Sequence, residues 1–158
     1  MYGIKFASER NLSTLKAEEK TVMEKKIRIL LTRHPMDGHE AGYNILATGL
    51  REHGIEVILG GAQMPEEAAE TAIQEDVDFI GFRNMAGDPV YLVETLMQKL
   101  RERGVEIPIV VGGIIRPREV EKLKNLGVIA TFGPGTSIPS IANFLKSYHE
   151  KRQSAAVR

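Results

Sequence analysis

The 158-residue sequence predicts a doubly wound α/β domain built on five parallel strands. Three observations predict it: short runs of branched aliphatics at regular intervals, helical periodicity between those runs, and glycines placed to end the helices.

The strand-like runs are Ile27 to Leu31, Ile55 to Leu59, Val77 to Phe82, Ile107 to Val111 and Val128 to Phe132. Each is about one buried strand long. The first predicted helix, Ala41 to His53, ends at Gly54 before Ile55. The second covers Pro65 to Gln74. The third, Pro89 to Arg103, has Asp88 as a ready N-cap and ends at Gly104 before Val105. The fourth, Pro117 to Leu126, ends at Gly127 before Val128, and a last helix runs from about Pro139 to Glu150. Glycine after a helix takes the left-handed position without a side-chain clash, and proline at a first turn lacks an N–H that would be unpaired anyway.

Nearly continuous apolar strands separated by single amphipathic helices imply a parallel sheet covered on both faces. Right-handed crossovers then give a flavodoxin-like order 2-1-3-4-5. Residues 27–150 form this domain, residues 1–26 an N-terminal extension in which Asn11 to Lys26 suits a polar helix, and residues 151–158 a disordered tail.

Lysine plus arginine equals aspartate plus glutamate, at 21 each, and no basic tract marks a nucleic-acid groove. No apolar stretch suits a signal peptide or a membrane span. Cysteine is absent, which excludes disulfides, thiolate metal sites and cysteine nucleophiles. A cytoplasmic protein that binds neither nucleic acid nor membrane is expected.

In the predicted order the loops after strands one, three, four and five meet at the carboxyl edge of the sheet, where such folds bind ligands. They carry Arg33 to Gly42, Arg83 to Asp88, Gly112 to Ile115 and Gly133 to Thr136. Each glycine alone is more often a turn residue than a functional one. His39 differs in kind: it sits in the first loop between glycines, with Asp37 two residues away to fix its second ring nitrogen. A free zinc ion needs three or four protein ligands, and His34 and Glu40 do not complete a set. A metal on His39 should arrive already held by a macrocycle.

The pattern Asp37-x-His39-x-x-Gly42, followed by Val111-Gly112-Gly113-Ile114-Ile115 and Phe132-Gly133-Pro134-Gly135-Thr136, resembles the cobalamin-binding domain of the methylmalonyl-CoA mutase family. The similarity runs from about Lys26 to Leu145 and includes Pro65-Glu66-Glu67 and Ile73 to Asp78. It implies cobalamin bound with its dimethylbenzimidazole tail off cobalt and buried beside the sheet. His39 would be the cobalt ligand and Asp37 its orienter. Gly38 belongs to the ligand loop, and Gly42 gives the tail room. Gly112, Gly113, Gly133, Gly135 and Thr136 would line the tail. Arg33 replaces a usual lysine near the ligand pair, keeping charge but not geometry.

The main departure is Arg83-Asn84-Met85, where the family usually reads Ser-x-Leu. Met85 replaces leucine at little cost. Arg83 adds a long cation that turns toward solvent or the cofactor phosphate, pairs with Asp88 or a partner carboxylate, or fills the tail pocket and abolishes binding. Glu40-Ala41 and Pro35 also vary, changing the loop surface.

The resemblance implies a cofactor-bearing small subunit of an adenosylcobalamin-dependent acyl-CoA mutase, an isomerase with no catalytic residue of its own. The chain lacks the barrel of about 250 residues that holds acyl-CoA, so a large barrel subunit is the expected partner. Homodimerisation stays open, as does the acyl-CoA. One alternative is a corrinoid carrier for methyl transfer, disfavoured because 26 residues are too few for its helical cap. Another is a flavodoxin-like interaction or regulatory module that has lost the cofactor.

Overall fold

The computed structural model describes residues 25–157. Five strands form one parallel sheet: β1 Arg28–Arg33, β2 Glu56–Ala62, β3 Phe79–Asn84, β4 Ile109–Gly113 and β5 Ala130–Phe132. Its order is β2-β1-β3-β4-β5, as the sequence predicts. The helices between and after them are α1 Ala41–Glu52, α2 Pro65–Gln74, α3 Pro89–Glu102, α4 Pro117–Leu126 and α5 Ile138–Ala156.

Alternation along the central strands divides the core in two. Leu30, Ile80, Phe82, Ile109 and Val111 meet the apolar stripes of α2, α3 and α4. Ile29, Leu31, Phe79 and Val110 meet α1 and α5 through Tyr43, Ala47, Leu50, Ala142 and Leu145. Burying both faces removes the alternation of polar and apolar residues that a one-sided sheet would show.

The punctuation works as read. Gly54, Gly104 and Gly127 have φ of 81°, 67° and 110°, and the Asp88 carboxylate accepts from the N–H groups of Val90 and Tyr91. Helix α2 ends without glycine. Asp76 takes φ 48° there, a conformation that Asp tolerates better than most residues.

Two boundaries differ from expectation. The strands begin one or two residues later than their apolar runs, and all but β5 continue two or three residues past them, so that Thr32, Arg33, Arg83 and Asn84 pair within the sheet. Backbone pairing continues wherever a neighbouring strand is present, whatever the side chain. The expected disordered tail is instead helical through Ala156, with Arg152 donating to the Glu106 carbonyl. Once Leu145 and Tyr148 pack on the sheet, adding further turns costs little, because a helix is expensive only to nucleate. The expected polar helix from Asn11 lies outside the described residues.

The β1–β2 register shifts between Leu31 and Thr32. At that irregularity the buried Tyr43 hydroxyl donates to the Leu31 carbonyl (2.5 Å) and accepts from the Gly61 N–H (2.9 Å). Tyr43→Phe leaves both groups short of a partner. It is expected to cost about 1–3 kcal/mol, read as a lower urea midpoint with an unchanged slope.

Candidate functional site

The loops after β3, β4 and β5 and the start of α1 meet at the carboxyl edge around a cleft of about 450 Å³. The cleft lies on the α1/α5 face of the sheet. Its floor is Ile29, Leu31 and Val110, and its walls are Leu46 and Leu50 of α1 with Ile138 and Ile141 of α5. An apolar slot with a few polar groups at its rim is the usual form of a small-molecule site.

Two glycines give the cleft its shape. A side chain on Gly81, in mid β3, would begin 2.6 Å from Leu31 Cδ2, so its absence keeps the floor flat. One on Gly49, within α1, would begin 2.6 Å from Ile138 Cδ1. That absence lets the start of α5 pack against α1. The sequence reading passed over both glycines, although an isolated glycine inside a strand or helix signals close approach. It also passed over the apolar wall, which periodicity cannot tell from ordinary core.

The loop carrying Asp37, Gly38 and His39 does not line the cleft; it adjoins it through Arg83, which lines the cleft and bonds the His39 carbonyl. Asp37 is fully buried, and its Oδ1 accepts from the His39 backbone N–H (3.0 Å) and lies 3.0 Å from His39 Nδ1. With Nδ1 donating to that carboxylate, Nε2 keeps a free lone pair on a ring that is 67% exposed. Asp37 Oδ2 is buried without a hydrogen-bond partner. Burial pushes the Asp37 carboxyl up, but the bonds from the His39 backbone and imidazole, with the Arg83 charge nearby, outweigh it and hold the group below the usual carboxylate value. Asp37 is therefore an anion at neutral pH, and a fixed anion on Nδ1 makes Nε2 a better metal ligand.

Arg33 does not face the cleft. Buried at the end of β1, its guanidinium donates to the Asp37 backbone carbonyl and pairs with Glu40 (2.9 Å). It braces the loop from behind, and Glu40 contributes to the same brace. Gly38 lies in open space, with nothing within 4 Å of a would-be side chain.

Arg83 does face the cleft. Its Nη1 donates to the His39 carbonyl, and its Nη2 lies 3.4 Å from where a Gly42 side chain would begin. It lines the cleft and does not pair with Asp88, whose carboxylate caps α3 instead. Met85, Gly112, Gly113, Gly133, Gly135 and Thr136 all line the cleft. Among the described residues no group of three or more histidine, aspartate or glutamate side chains is arranged to hold a metal ion.

Fold and cleft together define an open α/β domain with an apolar cleft at the carboxyl edge of its sheet, where domains of this class take ligands. Residues 27–142 match the family described as the B12 binding domain. The chain is 33% identical over 150 residues to methylmalonyl-CoA mutase of Cereibacter sphaeroides, covering 92% of this chain and 21% of that protein. It is 38% identical over 120 residues to the methylmalonyl-CoA mutase large subunit of Streptomyces virginiae, covering 75% and 16%. The chain thus spans about a fifth of the length of these relatives. Among solved structures, a cobalamin-binding protein from Desulfitobacterium hafniense superposes with a TM-score of 0.62 at 17% identity, over 87% of this chain and 64% of that one. The receiver domain of a putative response regulator from Mycobacterium tuberculosis reaches 0.64 at 13% identity, over 80% and 98%. At such identities these structures share the fold alone. The chain belongs to the B12-binding domain family and is a cobalamin-binding domain related to those of methylmalonyl-CoA mutases.

Proposed function

We propose that this domain holds cobalamin with its nucleotide tail in the α1/α5 cleft and His39 Nε2 toward cobalt, as the cofactor-bearing part of an adenosylcobalamin-dependent acyl-CoA mutase. The observation that carries the reading is the Asp37–His39 pair, joined through the His39 carbonyl to Arg83 on the lining of an apolar slot. A flat base needs a dry slot with a flat floor, and Gly81 leaves one. A cobalt ligand needs an exposed imidazole nitrogen with its tautomer set from the other side, and Asp37 sets it.

Each residue has a separate task in this reading. Asp37 orients the imidazole, and Arg33 with Glu40 braces the loop that carries it. Leu46, Leu50, Ile138 and Ile141 exclude water from the tail. Gly112, Gly113 and the Gly133 to Thr136 loop let the tail and its sugar-phosphate approach the backbone. When bound, adenosylcobalamin supplies the radical chemistry of carbon-skeleton rearrangement. Acyl-CoA binding would fall to a barrel-containing large subunit. That subunit would also choose the acyl group.

The test is a titration of the purified protein with hydroxocobalamin, followed by visible spectroscopy and gel filtration. Co-elution, with a spectral change that His39→Ala abolishes, is the expected result. Failure to co-elute would favour an interaction module without cofactor. Binding with a spectrum indifferent to His39→Ala would remove histidine ligation from the reading.

A further inference from the structure

Phe79, Gly81 and Arg83 alternate onto the α1/α5 face of β3. Gly81 opens the floor of the cleft, and two residues on, at its rim, Arg83 lays a long side chain across the opening. The guanidinium spans from the sheet to the first turn of α1, one arm on the His39 carbonyl and the other against Gly42. No carboxylate among the described residues lies within ion-pair distance of it. Its single hydrogen bond goes to a neutral carbonyl, with the buried Asp37 carboxylate acting on it only through space, and such a fastening can be undone because the long side chain has many rotamers.

The same bond touches the ligand loop. Asp37 holds the backbone N–H and the ring of His39, while Arg83 holds its carbonyl. His39 is thus tethered from both sides of the crevice. Releasing Arg83 both clears the rim beside Gly42 and frees one tether of the ligand histidine.

We propose that Arg83 gates the cleft: its guanidinium, bridging β3 to the His39 carbonyl over Gly42, must let go before a corrinoid tail can pass between α1 and the sheet. The inference rests on the cofactor reading above and adds to it a residue that sets which corrinoids bind and how fast. A corrinoid without a nucleotide tail has nothing to thread and reaches His39 without opening the gate. A tailed corrinoid binds only from the fraction of molecules in which Arg83 is released.

Stopped-flow mixing with hydroxocobalamin and with diaquocobinamide, which has no nucleotide, separates the two. For the unmodified protein the cobalamin rate should level off with concentration, limited by gate release. Arg83→Ser and Arg83→Met should raise that limit by about tenfold or more if the open state is a minor population, whereas cobinamide rates, which feel only the loosened His39 tether, should change several-fold less. Methionine keeps the apolar stem, so agreement between the two variants shows that the bond and not the bulk is limiting; cobinamide binding by each shows that it has folded. Equal cobalamin rates in all three proteins, with cobinamide bound by all, would overturn the gate and leave the cofactor reading intact. Absence of any His39-dependent spectrum with cobinamide in the unmodified protein would overturn both.

Discussion

Gly113→Ala is expected to destabilise the fold more than any other single-methyl addition at the site. Gly113 ends β4 with φ 115°, and a side chain there would begin 2.1 Å from the Asn84 carbonyl oxygen and 2.9 Å from its carbonyl carbon. Both atoms are backbone, so no rotamer change relieves the clash. Asn84 is itself fixed: its carbonyl accepts from Ile114 N–H at 3.0 Å, and it pairs in register with Gly113. Left-handed strain alone costs roughly 1–2 kcal/mol for an alanine. With the collision the total should reach about 4 kcal/mol, the range of the most damaging substitutions, lowering Tm by about 8–16 °C for a chain of this size. Gly38→Ala is the control, since nothing lies within 4 Å of its added methyl, and it should stay within about 0.5 kcal/mol. Calorimetry of both variants decides the matter; equal melting temperatures would show that the β4 end relaxes freely. The fold thus demands glycine at position 113 before any ligand is considered.

On the proposed ligation by His39, Asp37→Ala should weaken corrinoid binding by about 10–100-fold, the usual consequence of removing the group that orients a metal-bound histidine. The carboxylate supplies both the acceptor for Nδ1 and the acceptor for the loop N–H. Asp37→Asn keeps an acceptor oxygen but not the charge, and should fall between the two. Spectral titration of the three proteins measures the order; an alanine variant as tight as the parent would mean that the loop orients His39 unaided. The same residue adds to acid sensitivity. Its folded carboxyl is held below its ordinary value, as is that of Glu119, which accepts from the Arg116 N–H. Each therefore contributes stability that is fully present above the ordinary carboxylate range and is lost as pH falls through the lowered folded value. Urea midpoints should hold steady at neutral pH and drop below about pH 4.

The element order and the helix ends were legible because they depend on local rules. Branched aliphatic runs, glycine after a helix and aspartate before one act over a few residues, and Gly54, Asp88, Gly104 and Gly127 behave as read. The last turns of α5 were not legible, since polar residues from Lys151 onward carry no core signal and are helical by continuation from a packed segment. Gly81 and Gly49 sit in runs that looked like ordinary core, and their purpose depends on Leu31 and Ile138, which are far away in sequence.

Periodicity, crossover handedness and a two-residue spacing were enough to place the strand order, the carboxyl-edge loops and the Asp37–His39 pair, because each follows from short-range rules. Where the two arginines point depends on the assembled fold. Arg33 and Arg83 pair in adjacent strands at the same register, yet one turns back to brace its own loop and the other reaches over the cleft to the His39 carbonyl. A long flexible side chain takes whichever acceptor the assembled loops bring within reach, and that choice does not exist until the strands are side by side.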